Sequence, residues 1–505
     1  MAKTATDWAT EFREYVRKML HFEEAINLMY WDLRTGAPKK GVELRSEAIG
    51  TLAAEVFAMQ TSPQMEEYLN VLSEPGTFQA LDPVTQATVR EVKKEFDRNR
   101  KIPADRFKAY VVLTSQAESV WEEAKKTADF ASFRPYLEKI VAMKIEFIGY
   151  WGYQGNKYNT LLDQYEPGLT VEQLDGIFGP LREETVKLVQ AIVDSGIRPD
   201  LRHFRGHYPK DKQRALSLDL LRNMGYDFAA GRLDETEHPF QTTINRYDAR
   251  VTTKFLEDDL RSAISSTVHE GGHALYEQGV SPDLIGTPLC TGASMGIHES
   301  QSRFYENMIG RSHAYWESHL PVVRRYFPEF EDVSVDEFYR AMNDVSPSLI
   351  RIEADEVTYN LHIMIRYELE KALINETLRV ADLPGVWREK MREYLGVEPD
   401  SDATGVLQDV HWSGGDFGYF PSYSLGNIYA AQFRHQLAKE IPDYMEQVRR
   451  GEMLEIKRWL NEKIHRFGKT LTPGEIVRQA TGEDIDAKYL IDYLHEKFDP
   501  LYNLA

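Results

Sequence analysis

Apolar residues recur at helical spacing through residues 5–150 and again from Val333 onward, which commits most of the chain to packed amphipathic helices. From Pro83 to Asn99 the apolar positions are Val84, Ala87, Val89, Val92 and Phe96, with charges between them. Pro103 stands near the start of the next pattern, which carries Phe107, Val111, Leu113, Ala117 and Val120. Far downstream, Thr472-Pro473-Gly474-Glu475 reads as a helix start, with Thr as cap and Pro in the first position. No Ser/Gly-rich linker, low-complexity tract or internal repeat separates these segments. The length of 505 residues alone would allow about three domains. The unbroken pattern argues instead for one unit spanning residues 1–505, mainly α.

The period changes between Gly231 and Phe255. β-formers cluster in Phe240-Gln241-Thr242-Thr243-Ile244 and in Arg250-Val251-Thr252-Thr253, separated by Asn245-Arg246-Tyr247-Asp248. A small antiparallel sheet embedded in a helical protein is expected there, and the strand around Val251 is a candidate edge for pairing with an extended peptide.

Charge and cysteine usage exclude several classes of function. Acidic residues outnumber basic ones by 80 to 60, and a formal charge of −20 repels phosphate backbones, so no nucleic-acid partner is expected. No apolar run approaches the ~20 residues that span a bilayer. The opening Met1-Ala2-Lys3-Thr4-Ala5-Thr6-Asp7-Trp8 lacks the apolar stretch of a signal peptide. The single cysteine, Cys290, excludes intramolecular disulfides and fits a reducing compartment, so a cytoplasmic location is expected. Cys290 itself reads as a small buried filler.

His269-Glu270-Gly271-Gly272-His273 follows the sheet, in a helical stretch from about Asp258 to Gln278 with Gly279 as its stop. Positions four apart are ~40° apart around a helix axis. Both imidazoles therefore face one way and can share a tetrahedral metal, whereas Glu270, ~100° from His269, can reach an attacking water without ligating. Two glycines inside a helix cost ~1 kcal/mol each relative to alanine, so they need a reason. Close helix packing is one, and room for substrate beside a bare backbone is the other. A third ligand is required, and Ala274-Leu275-Tyr276-Glu277-Gln278-Gly279 holds no histidine. His298-Glu299-Ser300-Gln301-Ser302-Arg303 supplies Glu299, with Arg303 four residues on to orient its carboxylate. His298 is the alternative ligand, and otherwise has a supporting or groove role. His362, among Val357, Leu361, Ile365 and Leu369, reads as packing, and the His203/His207 pair is set against a helix by Gly206 and Pro209.

At these residues the chain resembles the carboxypeptidase Taq family of metallocarboxypeptidases. The matching segments, in order, are His238-Pro239-Phe240, Asp248-Ala249-Arg250-Val251-Thr252, His269 to His273, and His298 to Arg303. Arg351-Ile352-Glu353-Ala354-Asp355 and Gly405-Val406-Leu407-Gln408-Asp409-Val410-His411-Trp412 follow. The resemblance implies a helical fold with a deep active-site groove, similar to angiotensin-converting enzyme and neurolysin, with the N-terminal helices as a candidate lid. It also implies a homodimer, one zinc ion that cobalt can replace, and broad release of C-terminal residues from peptides, proline excepted.

Such a site needs a proton acceptor, an oxyanion donor and a reader of the substrate's end. Glu270 is the expected general base. His411 and Tyr423 are the candidate oxyanion donors, preferred to the alternative in which Tyr423 only packs under the loop that contains Gly414, Gly415 and Gly418. Those glycines either let the loop move or serve tight turns. A guanidinium suits a C-terminal carboxylate, and Arg351 is preferred to Arg250, which a salt bridge to Asp248 would instead make structural. His238 is a further candidate for substrate binding. The rivals are an oligopeptidase that cuts internally with the same chemistry, a catalytically silent scaffold or peptide binder, and an amidase for non-peptide substrates.

Overall fold

The computed structural model describes residues 3–504. Several of its helices begin where a side chain satisfies free backbone N–H groups, as Thr4, Asp82, Asp259 and Ser294 do. The expected start at Thr472 is a capping box with Pro473 in the first turn, opening the helix Pro473–Thr481. The helices that frame the site are α1 (Ala5–Thr35), α2 (Val42–Gln60), α3 (Pro83–Arg100) and α4 (Ala104–Thr127). They continue with α5 (Lys210–Met224), α6 (Leu260–Gly279), α7 (Met295–Arg303), α8 (Tyr359–Ile374), the short α9 (His411–Gly414) and α10 (Phe420–Glu440). None of the described helices is long and apolar enough to cross a membrane.

The three strands are β1 (Leu233–Glu235), β2 (Gln241–Asn245) and β3 (Asp248–Thr253), in the order β1-β3-β2. β2 and β3 form the expected antiparallel pair, but β1 joins β3 in parallel, so the sheet is mixed. Nothing in Leu233-Asp234-Glu235 announces a strand, because β1 exists only through its pairing. Its arrival corrects one expectation: Val251 pairs with both Leu233 and Gln241, so β3 is the central strand and has no free edge for a peptide.

One large core joins helices from residue 87 to the C-terminus, and a smaller one, around Phe12, Met65, Tyr68, Leu72 and Phe96, ties α1 to α3 and the helix between them. α4 forms over the expected span, and Leu113, Ala117 and Val120 pack on the core as the spacing anticipates, but two of the expected positions do not. Ala117 and Ala124 are buried, whereas Phe107 and Val111 are exposed, and Phe107 stacks on Phe57 of α2. The small alanines let α4 lie close to its neighbours, with Tyr110, Leu113, Val120 and Trp121 packed half-buried around them.

α6 ends one residue later than expected, for a different reason. Gly279 is its last residue, and the chain turns out at Val280, whose ψ is 141°. A Cβ on Gly279 would lie 2.5 Å from Asn461 Oδ1 and from His465 Nδ1, so close packing requires this glycine. The motif glycines serve the same purpose, which settles the choice left open by the sequence. A Cβ on Gly272 would lie 2.5 Å from the carbonyl oxygen of Gln301 and 2.7 Å from Ser302 Cα, at the contact of α6 with α7. One on Gly271 would meet the ends of Leu221 and Met224 on α5. Gly272→Ala is therefore expected to destabilise the protein by about 1–3 kcal/mol, because backbone cannot yield. Gly271→Ala is expected to cost less, since side-chain ends can turn aside. Chemical denaturation of both variants checks the order, and equal losses would contradict it.

Candidate active site

α6 points His269 and His273 toward Glu299 of α7. His269 Nε2 lies 3.6 Å from Glu299 Oε2, and His273 Nε2 lies 3.4 Å from the same oxygen. All three donor atoms fall within 4.8 Å of one another. Ligands about 2.1 Å from a tetrahedral ion stand about 3.4 Å apart, close to the two His–Glu separations, so the three side chains could hold a metal ion. No second such cluster occurs among the described residues, His203 and His207 included.

The surroundings turn the free lone pairs inward. Glu306 Oε2 accepts from His269 Nδ1 at 2.9 Å, which leaves Nε2 as the acceptor. Glu277 Oε1 engages His298 Nε2 at 2.8 Å, and His298 Nδ1 in turn meets His273 Nδ1 at 2.6 Å. With His298 Nε2–H donating to the Glu277 carboxylate, His298 Nδ1 accepts from His273 Nδ1–H, and His273 Nε2 faces the cluster. His298 thus stands behind a histidine, outside the donor set, and Glu299 occupies the third place.

Arg303 Nε lies 2.7 Å from Glu299 Oε1, as the four-residue spacing anticipates. Burial alone would raise the pKa of Glu299, but Arg303 and the imidazoles outweigh it and hold the carboxyl well below its usual range. Gly426 of α10 makes this packing feasible, because a Cβ there would lie 2.4 Å from Glu299 Cγ.

Glu270 borders a cavity of about 710 Å³ whose lining also includes His269, Ser262, Ser266, Arg303 and Tyr359. It is 7% exposed, and burial pushes its pKa up to about 7. From Tyr359 the contacts continue inward. Its ring lies 6.2 Å from that of Tyr423, whose hydroxyl is 3.2 Å from His411 Nε2. Burial lowers His411 to about 4, so at neutral pH the imidazole is uncharged and able to donate. Tyr423 is held well above its ordinary value by burial and stays protonated.

The loop glycines are needed for shape. Gly415 has φ 79° and Gly418 φ 96°, and a Cβ on Gly418 would lie 2.7 Å from the carbonyl oxygen of Leu161. The tight-turn reading of this loop is the one the geometry supports.

Both candidate arginines carry ion pairs, and the pairs differ. Arg250 binds Asp248 through Nε and Nη2, each at 2.7 Å, and lies over Trp31, in a separate cavity with Arg45 and Arg232. That is the one-to-one bridge weighed as the structural alternative. Arg351 binds Asp409 Oδ1 at 2.8 and 2.9 Å, but Arg366 holds the other oxygen at 2.6 Å. Two guanidiniums thus share one carboxylate. Arg351 also donates to the Tyr359 hydroxyl at 3.2 Å and lies over the Tyr423 ring. His238 is exposed on the β1–β2 connection and makes no side-chain hydrogen bond to the described residues. His362 is fully buried, in keeping with a packing role.

Local spacing anticipated the cluster of His269, His273 and Glu299 but not the residues that support it. Glu306 sits on the π-helical turn Phe304–Ile309, which directly continues α7, and there it meets His269 Nδ1. The couplings of Glu277 to His298 and of Arg366 to Asp409 span 21 and 43 residues, with no local signal.

Known proteins resemble this chain over nearly its whole length. The family model described as carboxypeptidase Taq (M32) metallopeptidase matches residues 11–498. Carboxypeptidase 1 of Bacillus subtilis (strain 168) is 50% identical over 495 residues, covering 98% of each chain. Thermostable carboxypeptidase 1 of Thermus thermophilus is 42% identical, covering 97% of this chain and 98% of its own. The crystal structure of the M32 carboxypeptidase from Deinococcus radiodurans R1 superposes with a TM-score of 0.95 at 35% identity, covering 98% of this chain and 99% of that one. A metal site of fitting geometry on α6 and α7, within a fold shared over nearly the whole length, places this chain in the carboxypeptidase Taq (M32) family of metallopeptidases.

Proposed function

We propose that the protein is a zinc-dependent carboxypeptidase that removes residues one at a time from free peptide C-termini. The observation that carries this reading is the geometry of His269, His273 and Glu299, whose donor atoms stand at tetrahedral spacing with every other polar atom of the two imidazoles engaged. The chemistry a bound zinc supplies is Lewis acidity toward the scissile carbonyl and the attacking water. Glu270 accepts the proton of that water and delivers it to the leaving amine. His411 and Tyr423 donate to the carbonyl oxygen as it gains charge. Arg351 receives the terminal carboxylate, supported by the charge excess that two guanidiniums leave around Asp409. Broad side-chain tolerance with proline excluded, a homodimeric assembly and a cytoplasmic location complete the reading, and rest on the resemblance alone.

Chelation followed by titration with zinc tests the reading. One equivalent per chain is expected to restore stepwise C-terminal release, followed by mass spectrometry of timed digests. Glu299→Ala is expected to lose metal affinity by two orders of magnitude or more, about 3 kcal/mol at ~1.4 kcal/mol per tenfold. Full zinc content and activity in that variant would remove Glu299 from the donor set.

A further inference from the structure

We propose that Glu370 is a positioning residue for His411, because its one carboxylate holds both shoulders of the loop that aims the imidazole. The inference rests on the donor role assigned to His411 above. Glu370 lies on α8 and is fully buried. Its Oε1 accepts from Trp412 Nε1 at 2.7 Å. Its Oε2 accepts from the backbone N–H of Gly418 at 2.8 Å and from the hydroxyl of Tyr158 at 2.6 Å. Trp412 directly follows His411, and Gly418 closes the turn just before α10, the helix that carries Tyr423.

A core helix gains nothing by burying a carboxylate, which is costly to desolvate and here makes no ion pair with a described cation. What the carboxylate does is join two points of a loop six residues apart to a rigid helix. His411 needs such support. Its only side-chain hydrogen bond to the described residues is the one from Nε2 to Tyr423, and its Nδ1 is buried without a partner. No second hydrogen bond locks the ring, which packs 4.4 Å from the Phe420 ring, so the loop that joins His411 to Phe420 sets where Nε2 points. The loop is itself closely fitted, with Tyr110 against Gly415 and Leu161 against Gly418, so a release at either shoulder moves the ring.

Glutamine at position 370 keeps the shape but has a single acceptor oxygen. It cannot satisfy Trp412 and Gly418 together, and its amide would set a donor against an N–H. In Glu370→Gln, kcat on a free peptide is expected to fall about 10- to 100-fold, the scale set by a misplacement near 1 Å. KM is expected to stay within about threefold, and zinc content to be unchanged. The decisive measurement is a double-mutant cycle with His411→Ala. If Glu370 acts through His411, adding Glu370→Gln to His411→Ala costs little further rate. Trp412→Phe, which removes only the indole donor, provides a second arm should Glu370→Gln fold poorly, and is expected to show the same epistasis with a smaller loss. Fully multiplicative losses, or an unchanged kcat in both Glu370→Gln and Trp412→Phe, would overturn the inference. Wild-type kcat in His411→Ala alone would instead remove His411 from the oxyanion role, and this inference with it.

Discussion

Glu270→Gln is expected to fold and hold its metal normally while losing turnover by roughly a thousandfold or more, the upper range for removal of a general base. The carboxylate of Glu270 makes no hydrogen bond or ion pair to any described residue, so the neutral isostere breaks no contact in the resting protein. What it removes is basicity. Burial pushes the Glu270 carboxyl up to about 7, which makes its anion a stronger proton acceptor than a solvated carboxylate, and a nearby dication would draw that value down again. An amide accepts no proton in this range. Steady-state rates, metal content and a thermal melt on one preparation separate the possibilities. A fully metallated, native-like variant with appreciable turnover would show that another group takes the proton.

How much of this was legible in the sequence depended on the distance over which each signal acts. The helical motif and Glu299 are local patterns: a four-residue spacing fixes the direction of two imidazoles, and Arg303 follows its carboxylate by one turn. The β2–β3 pair was equally legible, because β-formers flanked a polar turn. β1 was not, since three residues with no strand preference became a strand only by lying beside β3. The same limit applied to α4, where the period gave the helix but tertiary packing left Phe107 and Val111 exposed. Glycine pairs inside α6 left two readings open, and only the approach of the Gln301 backbone decided between them. Salt-bridge potential was visible for Arg250 and Asp248, two residues apart, and that is where the bridge forms. The sharing of Asp409 by Arg351 and Arg366 was invisible, because its members come from three separated segments.

That shared carboxylate leads to the prediction that separates an exopeptidase from an internal cutter. Peptides with a free C-terminus are expected to lose residues in sequence, while C-terminally amidated versions react at least a hundredfold more slowly. Arg351 and Arg366 bring two positive charges to the single negative charge of Asp409, and neutral His411 beside them adds none. Burial opposes the ionisation of Asp409, but the two guanidiniums override it, so its charge is constant at working pH and the excess of one positive charge persists. A substrate carboxylate placed against Arg351 balances that excess. An amide leaves it standing in a nearly dry site, a penalty of several kcal/mol, where ~1.4 kcal/mol already corresponds to tenfold in rate. Arg351→Ala is expected to slow free peptides by a hundredfold or more and to narrow the gap to amidated ones. The core should survive that change, because Asp409 keeps Arg366 at 2.6 Å as its partner. Arg250→Ala provides the contrast, since its charge is already matched one-to-one by Asp248. Mass spectrometry of timed digests reads all four combinations of peptide and variant. Predominant internal cuts, or equal rates for the two peptide forms, would assign the protein to the oligopeptidases. Loss of discrimination in Arg250→Ala but not in Arg351→Ala would keep the carboxypeptidase and move the receptor to the sheet.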